Sequence, residues 1–188
     1  MKQNLFLRSI STLLILCVLL GLMTALSQIA VAETISTDTA EIDALFTARS
    51  AGQHPRVLAN NEDFARIRNL INTDDYMRVT YTRLYDYCVQ QISKPVSVYN
   101  LPDGVRLLNI SKEASQRIVW MAMVYQLSGE RRFAERAIEE LMAVCAFPDW
   151  HPKHYLDVGR MAYGVGIGYD WLYYELTASQ RKTIETAV

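Results

Sequence analysis

The chain has 188 residues, a formal net charge of -1, and Lys and Arg scattered along its length, so it offers no basic stripe for a nucleic-acid backbone. Hydrophobic residues make up 51% and charged residues 21%, the balance of a globular domain with its own core rather than of a solvated tail. Three cysteines in a chain of this length exclude a disulfide-stapled miniature scaffold.

The N-terminal segment reads as an address. Lys2 and Arg8 precede an uncharged apolar run over residues 10–26, and Ala30, Val31 and Ala32 form an A-x-A cleavage site. Residues 1–32 are therefore expected to be a secretory signal peptide, with the mature chain starting near Glu33 in the periplasm or outside the cell and keeping no stable membrane anchor. Residues 33–52, rich in Thr, Ser and Ala, read as a linker. Ordered folding is expected from about residue 53, beginning with His54, Pro55, Arg56, Val57 and Leu58.

From there the apolar spacing is helical throughout, and no run alternates apolar and polar residues as a half-buried strand would. Asn60 or Asn61 is a cap for a helix whose stripe is Phe64, Ile67, Leu70 and Ile71. A second helix follows Thr73, with Met77, Tyr81, Leu84, Cys88 and Ile92 at intervals of three or four, and Lys94-Pro95 ends it. Residues 95–109, containing Pro102, Asp103 and Gly104, read as a long loop of the kind that carries function. Ser111 is the expected cap of a third helix reaching Leu127 and stopped by Gly129. The fourth, over residues 131–146, buries Phe133, Ala137, Ile138, Leu141, Val144 and Cys145, and the short connection makes the two antiparallel. Thr177 to Gln180 is a capping-box pattern that opens a last helix. The fold class is all-α, built from helical hairpins. An oxidising compartment would permit a bridge between Cys88 and Cys145, but both lie on apolar faces and buried free thiols are the expected state.

Between the fourth and last helices, residues 147–174 combine Trp, His, Tyr, Asp and Arg with Gly159, Gly164, Gly166 and Gly168. Each glycine costs roughly 1 kcal/mol against Ala inside a helix, so a tertiary gain must offset it. Close approach of a neighbouring helix is the economical gain, and room for a ligand is the other. Gly164, Gly166 and Gly168 do not form a dinucleotide fingerprint, because the third glycine position is Tyr169 and no strand precedes them. No cofactor is implied.

Trp150, Pro152, Tyr155, Leu156 and Asp157, followed by Tyr169, Asp170, Trp171, Leu172 and Tyr173, resemble the N-terminal helical region of the heparinase II/III-like polysaccharide lyases, in which a W-x-P-x-x-[FY]-L-D stretch precedes a small-residue helix ending in YDWLY. His151 stands where that pattern has Asn. The resemblance covers about residues 53–188. It implies that the hairpins form an incomplete (α/α) toroid, that residues 53–188 are its N-terminal part, and that further toroid helices and a sheet domain complete the enzyme. It also implies β-elimination on a uronate-containing polysaccharide, with the catalytic groups outside these residues.

Within this stretch Trp150, His151, His154, Tyr155 and Arg160 are the candidate substrate-binding residues: aromatic faces for sugar rings, imidazoles for hydroxyls, and a cation for a carboxylate. His151, His154 and Asp157 fall at intervals of three, a spacing that also invites a metal, but Pro152 places His151 at or before the helix cap and no fourth ligand is in view, so no metal site is assigned. Arg160 and Asp157, one turn apart, are a candidate pair. Arg106 and Arg117 are the other cations of interest, Arg117 because it lies in an otherwise apolar helix. Asp149, Asp157 and Asp170 would be the carboxylates of an inverting glycosidase, and a non-catalytic glycan-binding or structural helical domain is the alternative to a lyase.

Overall fold

A computed structural model describes residues 39–40, 43–44 and 52–188. The expected signal peptide and most of the linker lie outside the described residues. Residues 50–188 form one unit containing six helices: α1 (Asn61–Thr73), α2 (Asp75–Ile92), α3 (Leu108–Ser128), α4 (Arg131–Cys145), α5 (Tyr155–Trp171) and α6 (Ala178–Ala187). No strand occurs among the described residues, and none of the six helices is long and apolar enough to cross a membrane. The all-α hairpin architecture is as the apolar spacing requires.

Local chemistry sets most boundaries. Asn60 caps α1 by accepting from the amides of Glu62 and Asp63, and the Asp63 carboxylate returns the favour to the Asn60 amide. Thr177 and Gln180 make the same reciprocal pair at α6. Gly129 closes α3 at φ 75°, a left-handed conformation that a side chain would oppose. Ser111 is not a cap. The helix starts earlier, after Leu107, and Ser111 lies buried in its first turns, donating to the Leu108 carbonyl. A buried hydroxyl that satisfies itself on its own turn gives up the competition that makes Ser a cap.

The helices alternate between two layers, α1, α3 and α5 in one and α2, α4 and α6 in the other, each helix also packing on its hairpin partner. Antiparallel hairpins repeated in this way make α3 and α5 run parallel. Their register is fixed by two glycines: a Cβ on Gly164 would stand 2.6 Å from the Ser115 Cα, and one on Gly168 would collide with Ile118. The glycines therefore serve close helix packing, as Gly159 and Gly166 do not, since both face open space. The core is centred on α3, where Ala114, Ile118, Met121, Ala122 and Val124 are fully enclosed, with Phe133, Leu141 and Val144 from α4 and Met161 and Val165 from α5.

The two ends of the array differ. At one end the connections are short: a single residue, Asp74, between α1 and α2, and Gly129 with Glu130 between α3 and α4. At the other, residues 93–107 lead into α3 and residues 146–154 lead into α5. Both long loops thus gather beside the N-termini of the parallel helices α3 and α5.

Candidate functional site

The loop over residues 93–107 is fastened along its length. At its start, Arg117 donates to the Pro95 carbonyl at 3.0 Å and Arg136 to the Lys94 carbonyl at 3.1 Å, while the Ser97 amide donates to Glu140 at 3.0 Å. Glu140, fully buried, also binds Arg136 at 2.9 Å and lies 3.6 Å from Arg117, which reaches the exposed Glu113 as well. Arg117 is thus inward-facing and paired, the arrangement that its apolar neighbours made a possibility. In mid-loop the Tyr99 ring meets Phe147 edge-on and its hydroxyl donates to Asp149 at 3.1 Å, tying the two loops together. The Arg106 guanidinium folds back on Asp103 at 2.7 Å, and with the Arg106 and Val105 amides it holds that carboxyl down at about 2.

At the end of this loop stands Asp157. Its carboxylate is fully buried in the first turn of α5 and accepts three hydrogen bonds: from His154 Nδ1 at 2.7 Å on Oδ1, and from His151 Nδ1 at 2.8 Å and the Leu107 amide at 2.8 Å on Oδ2. Burial pushes the carboxyl up, but the bonds from His154, the Leu107 amide and His151 outweigh it and hold the group below its ordinary value. Asp157 is also at the positive end of α5, which favours the anion. It is therefore a carboxylate at neutral pH, and both oxygens are engaged.

The histidines do not reach Asp157 by helical periodicity. Pro152 precedes the helix rather than opening it, α5 begins at Tyr155, and His154 is its N-cap. His151 takes the left-handed backbone region at φ 55°, its amide held by Asp149 at 2.9 Å, which turns the ring back toward the helix. The expected pairing of Arg160 with Asp157 is replaced by these two imidazoles. Arg160 is exposed, and its side chain makes no hydrogen bond or ion pair with the described residues.

The five expected binding residues divide into four settings. His151 and His154 share Asp157, with 15% and 31% of their side chains exposed. Trp150 is half-buried, its indole N–H donating to the Val144 carbonyl at 3.0 Å, and it lines a cleft of about 760 Å³ between the residue 146–154 loop and α6, beside Asp149, Ser179, Lys182 and Thr183. Tyr155 is 88% exposed at the start of α5. Val158 lines the same cleft as Trp150, and Arg160, two residues on, projects about 200° around the helix from it. Among the described residues no three His, Cys, Asp or Glu side chains converge as a metal site.

Asp170 has a different task. It binds His54 Nδ1 at 2.6 Å and the amides of Arg56 and Val57 at 2.7 and 2.8 Å, while Trp171 donates to the Val57 carbonyl at 2.8 Å. The His54 ring stacks on Tyr173 at 3.8 Å. The YDWLY segment thus clasps the chain entering α1. Thirteen residues of helix separate Asp157 from Asp170, about 20 Å, too far for the paired carboxylates of an inverting glycosidase.

Spacing pointed to His151, His154 and Asp157. It did not point to Tyr99, Asp149 and the Leu107 amide, whose convergence depends on how the loops fold back, nor to Lys182 opposite Trp150. No family model matches the sequence, and a comparison with curated proteins gives no match.

Proposed function

We propose that residues 53–188 are the N-terminal part of an (α/α) toroid in an exported polysaccharide lyase, and that they bind a uronate-containing glycan which the complete enzyme cleaves by β-elimination. The observation that carries this reading is the loop-bearing end of the array, where Tyr99, Trp150, His151, His154 and Tyr155 put aromatic faces and imidazoles beside two parallel helix N-termini. Aromatic faces stack on the apolar side of a pyranose and imidazoles meet its hydroxyls. The partially positive helix ends and the uncommitted Arg160 favour an anionic polymer. The two-layer repetition of hairpins supports the toroid, since each further hairpin would add one helix to each layer. Residues 1–32 address the protein to the periplasm or beyond. In this reading the toroid helices and sheet domain that complete the enzyme supply the base, the acid and the group that neutralises the uronate carboxylate.

The test is titration calorimetry of the purified chain with short oligosaccharides of hyaluronan, alginate and heparan sulfate and with a neutral cello-oligosaccharide, alongside ultraviolet detection of unsaturated uronate product. Binding of at least one uronate oligosaccharide without product is expected. Binding of none contradicts glycan recognition, and product formed by the chain alone contradicts the assignment of the catalytic groups to other parts.

A further inference from the structure

The Asp157 cluster makes a narrower commitment than glycan binding, on which it rests. An ionised carboxylate has only acceptors, so every group bonded to Asp157 must donate. His154 and His151 stand 2.7 and 2.8 Å from it through Nδ1, which puts the proton of each neutral ring on Nδ1 and leaves Nε2 as a bare acceptor. Neither Nε2 has a hydrogen-bond partner, and neither is sealed from water: among the described residues the buried side-chain polar atoms left without a partner are Arg117 Nε and Arg136 Nη1. Both rings are partly exposed on the face where the loops gather.

The arrangement has features of a built site. Asp157 is fully enclosed, its third bond comes from the Leu107 amide on the other loop, and the left-handed backbone at His151 is held by Asp149, itself bonded to Tyr99. Non-glycine residues hold such a conformation where surrounding structure imposes it. A helix cap alone would need neither the second imidazole nor the turned backbone at residue 151.

We propose that Asp157 locks His151 and His154 as Nδ1–H tautomers and that their two Nε2 atoms form a paired hydrogen-bond acceptor for hydroxyl groups of a sugar unit. An acceptor pair backed by a buried carboxylate selects the hydroxyl edge of a uronate and turns away its carboxylate, which is left to a cation such as Arg160. Asp157 is a positioning residue in this scheme, and the two histidines are the binding groups.

The experiment is long-range proton–nitrogen NMR on the full chain labelled with ¹⁵N-histidine, at a pH where the rings are neutral, before and after addition of a short hyaluronan oligosaccharide. Both rings should show a protonated Nδ1 and a bare Nε2, the reverse of the tautomer that free histidine prefers; an Nε2–H form at either ring overturns the proposal. On titration the Nε2 resonances should move more than Nδ1, and His154→Gln should weaken binding about tenfold. Binding with both Nε2 resonances unmoved would overturn this inference and leave glycan binding intact. Absence of binding to hyaluronan, alginate and heparan sulfate oligosaccharides alike would overturn both. Asp157→Asn adds a further check, since an amide oxygen and NH2 cannot both accept: at least one ring should change tautomer.

Discussion

Asp157 and Glu140 show how differently two buried carboxylates are used. Glu140 sits between Arg117 and Arg136, so the interior holds two guanidiniums against one fully enclosed carboxylate, with Glu113 reaching in from the surface. Removing one member of such a group leaves the others buried and uncompensated. Glu140→Gln is expected to destabilise the fold by about 3–5 kcal/mol, read by chemical denaturation, whereas the exposed Arg78–Asp75 pair should contribute less than about 1 kcal/mol. A Glu140→Gln cost under about 1 kcal/mol would mean that water already solvates the cluster. For Asp157 the prediction is a pH dependence. Its value in the folded state lies below that of an unfolded aspartate, so the stability it contributes is fully present above about pH 4 and is lost as pH falls through the folded value. Wild-type stability should therefore fall more steeply on acidification than that of Asp157→Asn. Parallel curves would show that Asp157 is not the anion its three donors imply. The burial that pushes the Cys88 thiol up to about 12 and Cys145 up to about 11 should leave both slow to alkylate at neutral pH, and rapid modification of native Cys88 would contradict its enclosure.

Helix α5 carries the clearest contrast between glycines of one type. Gly164 and Gly168 face α3 and leave no room for a methyl group, while Gly159 and Gly166 face open space. Gly164→Ala should destabilise by about 1–3 kcal/mol through overpacking. Gly166→Ala should instead stabilise by up to about 1 kcal/mol, because the unfolded chain loses freedom and no neighbour is disturbed. Equal effects at the two positions would remove the close-packing account of α5. The glycine content pointed to close approach of a neighbouring helix, and the structure confines that approach to Gly164 and Gly168, which are one turn apart on one face. Sequence spacing was enough for the cap at Thr177, for a cap at Asn60 or Asn61 that the structure resolves to Asn60, and for the stop at Gly129, where the signal lies within four residues. It failed at Ser111, where burial of the first turns of α3 overrides the local preference of serine, and at Pro152, which belongs to the approach to α5 and not to its first turn. Asp170 and Trp171 were readable as part of the YDWLY segment, but their task was not, since their partners His54, Arg56 and Val57 lie more than 110 residues away in the chain. Asp170→Ala should release this segment, seen as faster hydrogen exchange at Arg56 and Val57 with α4 unchanged. Unaltered protection there would show that Trp171 and the ring stack suffice.

From α1 to α6 the chain repeats one decision three times: a helix, a reversal, and a helix returned to the other layer. That repetition was visible in the apolar spacing alone, because each helix needs only its own stripe and its own stops. The division of the molecule into a plain end and a loop-bearing end was half visible, through the proline and glycine of residues 95–109. What the spacing left open was which side chains meet at that end. His151, His154 and Asp157 converge through a cap and a left-handed turn instead of a helix face, and Tyr99 reaches Asp149 across 50 residues of sequence. The central claim is that this loop-bearing end is the glycan face. Backbone amide shifts of the labelled chain, followed during titration with short uronate oligosaccharides, test it most directly. The account predicts changes concentrated at Tyr99, Arg106, His151, His154, Tyr155 and Arg160 and none at Asp74 or Gly129 at the opposite end. Changes confined to the short-turn end, or no changes with any uronate oligosaccharide, would contradict it.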